Sequence, residues 1–288
     1  MVRPFYCFVL LLNVLFACVG RTAIAQEAVS RGLIAPRLTG YAEVGIADKY
    51  LYHGFIVETR GPVVQPYLEL YGQFYEGAGL LSSASAKLAI FNSFQLSHDG
   101  RMGISEPLRS WYEAEIKPGI ELTLAKELTF TASYRRFESP NGAYGSSNGL
   151  EFALTFDDTR LLGAIALHPH ALWIAPLDFG SNASEGHYFE AGVTPSVVLG
   201  GGPRYPLTAS FPVTLGFGDQ RLYSGRNFGF ASAGLSLSVP LAFVPEGMGK
   251  WTFATSGTYY RLGTTAAEFT NNGSRDTGQV AGTLSVGF

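Results

Sequence analysis

The chain has 288 residues, of which 15% are charged and 47% hydrophobic, with 35 Gly, 21 Phe and 15 Tyr and a formal net charge of −3. That much apolar and aromatic side chain excludes a disordered polypeptide, and the charge excludes a strongly basic nucleic-acid binder. No stretch after the N-terminus has the roughly 20 uninterrupted apolar residues of a spanning helix, which leaves a single β-rich domain with an unusual solvent on at least one face.

Residues 1–25 read as a cleaved signal peptide. Arg3 supplies the positive start, Phe8 to Val19 the apolar stretch, and Ala23-Ile24-Ala25 the small-residue cleavage site. A retained anchor or a lipoprotein site at Cys18 is the alternative, but the apolar run is short and Phe16 fits a lipoprotein site poorly. Both cysteines, Cys7 and Cys18, lie in this segment, so the mature chain needs no disulfide. Cleavage removes Arg3 and Arg21 and no acid, lowering the net charge from −3 to −5. Residues 26–39 are expected to form a short periplasmic segment and 40–288 the folded domain.

From residue 40 onward apolar and polar side chains alternate, the period of a strand with two different faces. A strand is expected over 40–57. At 62–75, Val64, Leu68, Leu70 and Phe74 oppose Gln65, Tyr67, Glu69, Tyr71 and Gln73. A weaker strand follows at 80–97. At 109–124, Tyr112, Ala114, Ile116, Ile120 and Leu122 oppose Trp111, Glu113, Glu115, Lys117 and Glu121. Further strands are expected at 128–138, 150–157, 160–175, 188–199, 207–217, 231–243, 250–263 and 277–288. Twelve is the preferred count, with ten or fourteen as alternatives, because strand boundaries read from sequence are uncertain by a few residues.

A soluble β-sandwich would put its polar face in water and carry many surface Lys and Arg, which are scarce here. A transmembrane antiparallel β-barrel inverts the arrangement, with apolar side chains on lipid and small or polar ones in the lumen. Closure then matters, because an open edge in lipid leaves backbone groups unbonded at several kcal/mol each. Connections alternate in length as such barrels require. Inner turns are expected at 76–79, 125–127, 158–159, 200–206 and 244–249, and outer loops at 58–61, 98–108, 139–147, 176–186, 219–226 and 264–276. Aromatics crowd strand ends, as in Tyr50, Tyr52 and Phe55, Trp111 and Tyr112, and Tyr259 and Tyr260, where amphipathic rings favour the membrane interface. The final alternating strand ends on Phe288, which resembles the C-terminal signal by which barrel-insertion machinery recognises outer-membrane barrels. The location expected is the bacterial outer membrane, with its lipid as partner.

The segment Gly45-Ile46-Ala47-Asp48-Lys49-Tyr50-Leu51-Tyr52-His53-Gly54 resembles the first strand of the TorF-type porins and related uncharacterised outer-membrane barrels, with His53 and Asp48 departing from the family's usual Arg and Ser. Pro62 to Pro66 and Gly72-Gln73-Phe74-Tyr75-Glu76-Gly77 are similar to that family's second strand and turn. The resemblance covers about residues 40–80. It implies a porin-like barrel and no catalytic residues.

Barrel lipid hydrolases place a His and a Ser two residues apart on one strand face. Gly145-Ser146-Ser147-Asn148-Gly149 contains the Ser-Asn pair, but Gly145 stands where the base should be. Ser147 is therefore the nucleophile of a rival lipid or lipopolysaccharide hydrolase reading. His168-Pro169-His170 could present two imidazoles on one face, too few for a metal site without partners. No cofactor motif is present. The alternation turns Glu43, Glu69, Glu113, Glu115, Glu121, Glu151 and Glu190 into the lumen, with Lys49, Lys117 and Arg135. Seven acids against three bases would favour cations and neutral solutes. The expected function is passive diffusion of small hydrophilic solutes; a closed structural or adhesive barrel is the third reading.

Overall fold

A computed structural model describes residues 33–59, 61–96, 109–177 and 186–288. The expected signal peptide and most of outer loops 98–108 and 176–186 fall outside the described residues. Along the chain come β1 (Leu33–Ala47), β2 (Tyr50–Tyr52), β3 (Phe55–Glu58), β4 (Val63–Glu76), β5 (Leu81–Gln95), β6 (Trp111–Leu124), β7 (Leu128–Glu138) and β8 (Ser147–Phe156). Then follow the short helix α1 (Thr159–Leu162), β9 (His170–Pro176), β10 (Tyr188–Val193), β11 (Ser196–Gly200), β12 (Leu207–Ser210), β13 (Val213–Gly218), β14 (Phe228–Pro240), β15 (Lys250–Leu262), α2 (Thr264–Thr270) and β16 (Asp276–Gly287).

All wall pairings are antiparallel, and the sheet closes on itself. β1 pairs with β4 on one side and β16 on the other, and β14 pairs with β15. Two wall strands are each split by a proline. Pro195 separates β10 from β11, and Pro212 separates β12 from β13. Proline has no N–H for the ladder, while the Pro195 and Pro212 carbonyls still accept from Phe211 and Gly234 at 2.9 Å each. Counting each split pair as one gives a closed barrel of twelve strands. The last residue joins the closure: Gly40 and Phe288 exchange backbone hydrogen bonds of 2.8 and 3.0 Å.

The outward faces are apolar and bare. Ile46 on β1 is 53% exposed and Val280 on β16 60%, with Ile116, Leu154, Phe189, Leu215, Leu235 and Phe253 exposed on strands between them. A belt of this extent far exceeds the apolar patches that soluble monomers leave in water, and acyl chains are the solvent that suits it. One row of rings, Phe130, Phe152, Trp173 and Phe189, crosses β7 to β10 with centroids 5.1–6.3 Å apart. Exposed ion pairs lie at the strand ends, Arg136–Glu138 at 2.7 Å, Arg261–Asp276 at 2.6 Å, and Arg160–Glu127 at the other rim.

Three expected elements are corrected. The strand expected over 40–57 is two structures. β1 begins at Leu33 and ends at Ala47, and residues 50–58 form the separate hairpin β2–β3. The cause is the two-residue turn His53-Gly54, both with positive φ (50° and 83°), the geometry that a tight right-twisted hairpin demands. The strand expected over 160–175 starts only at His170, because residues 159–165 coil into α1 and a 3₁₀ turn. The Asp158 carboxylate fixes this connection by accepting the amides of Leu167 and His168 at 3.0 and 2.9 Å. The inner turn therefore spans 157–169 rather than 158–159. The outer loop expected at 264–276 contains α2.

Candidate functional site

The interior is built by alternation. On β4 to β8 the inward side chains are long and charged. Glu69 accepts hydrogen bonds from the hydroxyls of Tyr67 and Tyr71 (2.7 Å for Tyr71) and lies 2.7 Å from the ammonium of Lys87. Arg135 on β7 pairs with Glu115 on β6, its Nε 3.0 Å from the carboxylate. Lys117 reaches Glu151 on β8 at 3.2 Å and Glu115 at 3.8 Å. On β1, Tyr41 donates to Glu43. Glu121 lies 3.5 Å from the Thr131 hydroxyl, and Tyr188 donates to Glu190 at 2.6 Å.

The opposite half of the interior carries small groups. β14 contributes Ser232, Gly234, Ser236 and Ser238, which face Tyr260, Thr258, Ser256 and Ala254 of β15 in register. β16 continues with Gln279, Ala281, Thr283 and Ser285.

The β2–β3 hairpin is tucked into the outer mouth. Tyr50 donates to Glu113 at 2.7 Å, and Glu113 is 1% exposed. Tyr52 accepts from Arg135 at 2.7 Å and stacks on Phe137 with centroids 5.6 Å apart. His53 lies against Tyr188, 3.7 Å between ring centres, and its carbonyl accepts from the Tyr223 hydroxyl at 2.7 Å. Phe55 stacks on Tyr223 at 5.5 Å. The amide of Ile56 donates to the Thr270 hydroxyl of α2 at 3.0 Å. Ile56 then joins Ile174, Tyr188, Phe230, Leu262, Ala266 and Ala267 in a buried cluster. Six strands, the helix α2 and the loop bearing Tyr223 thus hold a segment that belongs to none of the wall strands. It lies between an outer cavity of about 730 Å³ and an inner one of about 310 Å³, and Tyr52, His53 and Tyr188 border both.

Nine of the ten residues singled out from the sequence line this interior network. Lys49 stands apart: its ammonium bonds to the Gly278 carbonyl at 2.6 Å and lies 3.7 Å from Asp48, beyond the end of β1. Lys87 was missed. Small residues such as Ser83, Ala84, Ser85 and Ala86 sit on both faces of β5, so the alternation there does not say which side is inward. Tyr50, Tyr52 and Phe55, expected as interfacial aromatics, belong instead to the hairpin in the mouth. Ser147 is the first residue of β8 and hydrogen-bonds no histidine among the described residues. His168 precedes β9 with φ 47°, its imidazole 3.9 Å from Asp158. No group of three metal-ligating side chains occurs among the described residues.

These features define a transmembrane β-barrel of the bacterial outer-membrane type. No protein-family model and no curated protein matches the chain, so the TorF-type likeness of the opening strands remains a resemblance. Among solved structures the chain is similar to an outer membrane channel from Pseudomonas putida F1 (13% identity, 91% of this chain and 97% of that one, TM-score 0.45). It is similar to the NanC porin (11%, 88% and 99%, TM-score 0.41) and to outer membrane phospholipase A from Escherichia coli (13%, 88% and 94%, TM-score 0.41). The class assignment rests on the closed sheet and its apolar exterior.

Proposed function

We propose that the barrel allows passive diffusion of small hydrophilic solutes across the outer membrane, with the β2–β3 hairpin as its constriction. The observation that carries this reading is the inward lining: hydroxyls, amides and charged groups follow one another along the strands, opposite an apolar exterior. A core meant only for packing would be filled with interlocking apolar side chains. The lumen is mildly acidic in this reading. Glu69, Glu115 and Glu151 are matched by Lys87, Arg135 and Lys117, while Glu43, Glu121 and Glu190 have no cation at ion-pair distance among the described residues. The surplus favours cations and neutral solutes over anions.

Conductance of the purified protein in a planar lipid bilayer tests the proposal. Discrete channel events with a cation preference are expected, and silence at every voltage overturns it. The close fit of the hairpin favours one second reading, a closed barrel that acts through its outer loops. That reading expects silence even after the hairpin is shortened.

A further inference from the structure

The outer cavity has a chemistry different from the rest of the lumen. Aromatic rings make up about a third of its lining, among them Tyr52 and Phe55 from the hairpin, Phe137 and Tyr144 from β7 and the loop after it, Tyr188 from β10 and Phe269 from α2. Phe269 is 68% exposed, and α2 belongs to an outer loop, away from the belt that lipid covers. The Phe269 ring lines this cavity, where a guest would cover it.

The ionised groups at this cavity are occupied. The Arg135 guanidinium is held by Glu115 and by Tyr52, and its Cζ lies 4.9 Å from the centre of the Phe137 ring. Glu113 is covered, with its carboxylate turned to the Tyr50 hydroxyl. Arg221 reaches the cavity from loop 219–227 and already has a partner. What the cavity offers a guest is therefore aromatic and aliphatic surface, with a few hydroxyls such as those of Ser147 and Ser224 at its margin. Its volume of about 730 Å³ falls in the range of small-molecule sites, roughly 300–1,000 Å³.

We infer that the outer cavity is a binding site for small uncharged aromatic molecules of about two fused rings with one hydroxyl or comparable polar group. The inference rests on the pore reading, because it names the solute class that the barrel would collect at its outer mouth. A neutral ring stacks on the wall aromatics without stripping water from an ion. A charged analogue would bury its charge beside groups already paired.

Isothermal titration of the detergent-solubilised full chain tests this with three probes of one shape: 1-naphthalenemethanol, 1-naphthoate and 1-naphthylmethylamine. Each is referenced to protein-free micelles. The alcohol is expected to bind at one site, with both ions at least about tenfold weaker, the effect of roughly 1.4 kcal/mol. Phe269→Ala removes an exposed ring that no strand needs for packing, and is expected to weaken the alcohol several-fold. No saturable binding, binding of either ion as tight as that of the alcohol, or an unchanged affinity in Phe269→Ala overturns the inference. Titration does not depend on conduction. A protein that binds the alcohol but is silent in bilayers breaks the pore reading alone, and one that conducts but binds no probe breaks only this site.

Discussion

The two halves of the barrel use the same alternation for opposite ends. Inward positions on β4 to β8 hold Tyr, Glu, Lys and Arg, whose side chains cross the strand spacing and bond to one another. Inward positions on β14 to β16 hold mostly Ser, Thr, Gly and Ala, which reach no further than their own wall, with Tyr260 and Gln279 as the larger exceptions. The first half is filled by its own side chains and grips the hairpin through Glu113, Arg135 and Phe137. The second half leaves space. The inner cavity accordingly lies against Thr214, Ser232 and Tyr260 rather than against the charged wall. A solute passing the hairpin would travel along the hydroxyl side, in the field of the charged side.

Removing the hairpin tests this division most severely. Replacing residues 51–57 by a short Gly-Ser linker merges the two cavities, and single-channel conductance is expected to rise several-fold. Unchanged conductance would place the constriction elsewhere. Next comes the contrast between the walls in stability. Arg135→Ala takes the close guanidinium from buried Glu115 and leaves only Lys117 at 3.8 Å; breaking such a buried pair typically costs about 3–5 kcal/mol. Ser236→Ala on the opposite wall is expected to stay within about 0.5 kcal/mol, as for substitutions away from packed or charged features. Urea unfolding in detergent, read by tryptophan fluorescence, compares them, and equal losses would end the argument that one wall is a bonded network and the other a lining.

Gly54→Ala acts on the hairpin more gently. Gly54 has φ +83°, and a Cβ there would lie 3.0 Å from the Gly229 carbonyl and the Phe230 ring. The turn is strained by about 1 kcal/mol or more, so the hairpin should leave its seat part of the time. The expected record shows the intact conductance interrupted by brief larger openings; a record identical to that of the unaltered chain would mean that the seat tolerates the added methyl group.

How much of this is legible without a structure depends on which physical signal is local. The two-residue period of 62–75 and 109–124 is local, and it places Glu69, Glu113, Glu115, Lys117 and Glu121 on one face. The pairing of Arg135 with Glu115, or of Lys117 with Glu151, depends on which strands neighbour one another and in what register, and the meander order makes that partly readable. The hairpin is the clearest miss. His53-Gly54 carries a turn signal, but His is not the usual first residue of a two-residue hairpin turn, a place held mostly by Asn, Asp or Gly, and the flanking Tyr50, Tyr52 and Phe55 imitate the aromatic girdle of a strand end. Likewise Leu161, Leu162 and Ile165 read as strand, while the side-chain acceptor that coils them, Asp158, acts nine and ten residues ahead on Leu167 and His168.

The smallest expected effect lies in the loop beside the outer cavity. Asp219 begins the 219–227 connection, and its carboxylate accepts the amides of His187 at 3.0 Å, Arg221 at 2.9 Å and Leu222 at 3.1 Å. Gly186 makes room for it, because a Cβ there would collide with Asp219 Oδ1. Partial burial works against ionisation of Asp219, but the three backbone donors outweigh it and hold the carboxyl below its usual range. A folded-state pKa below the unfolded value means that this contribution is complete above the ordinary aspartate range, about 3.9, and is lost as the pH falls through the depressed folded value. Leu222 packs against the cluster that seats Ile56, so the loop's order is linked to the hairpin's. In an amide-proton NMR titration of the detergent-solubilised chain, the Leu222 resonance is expected to hold steady from neutral pH to about 4 and to shift below it. A midpoint at or above the ordinary aspartate value would show that these donors do not stabilise the ionised loop.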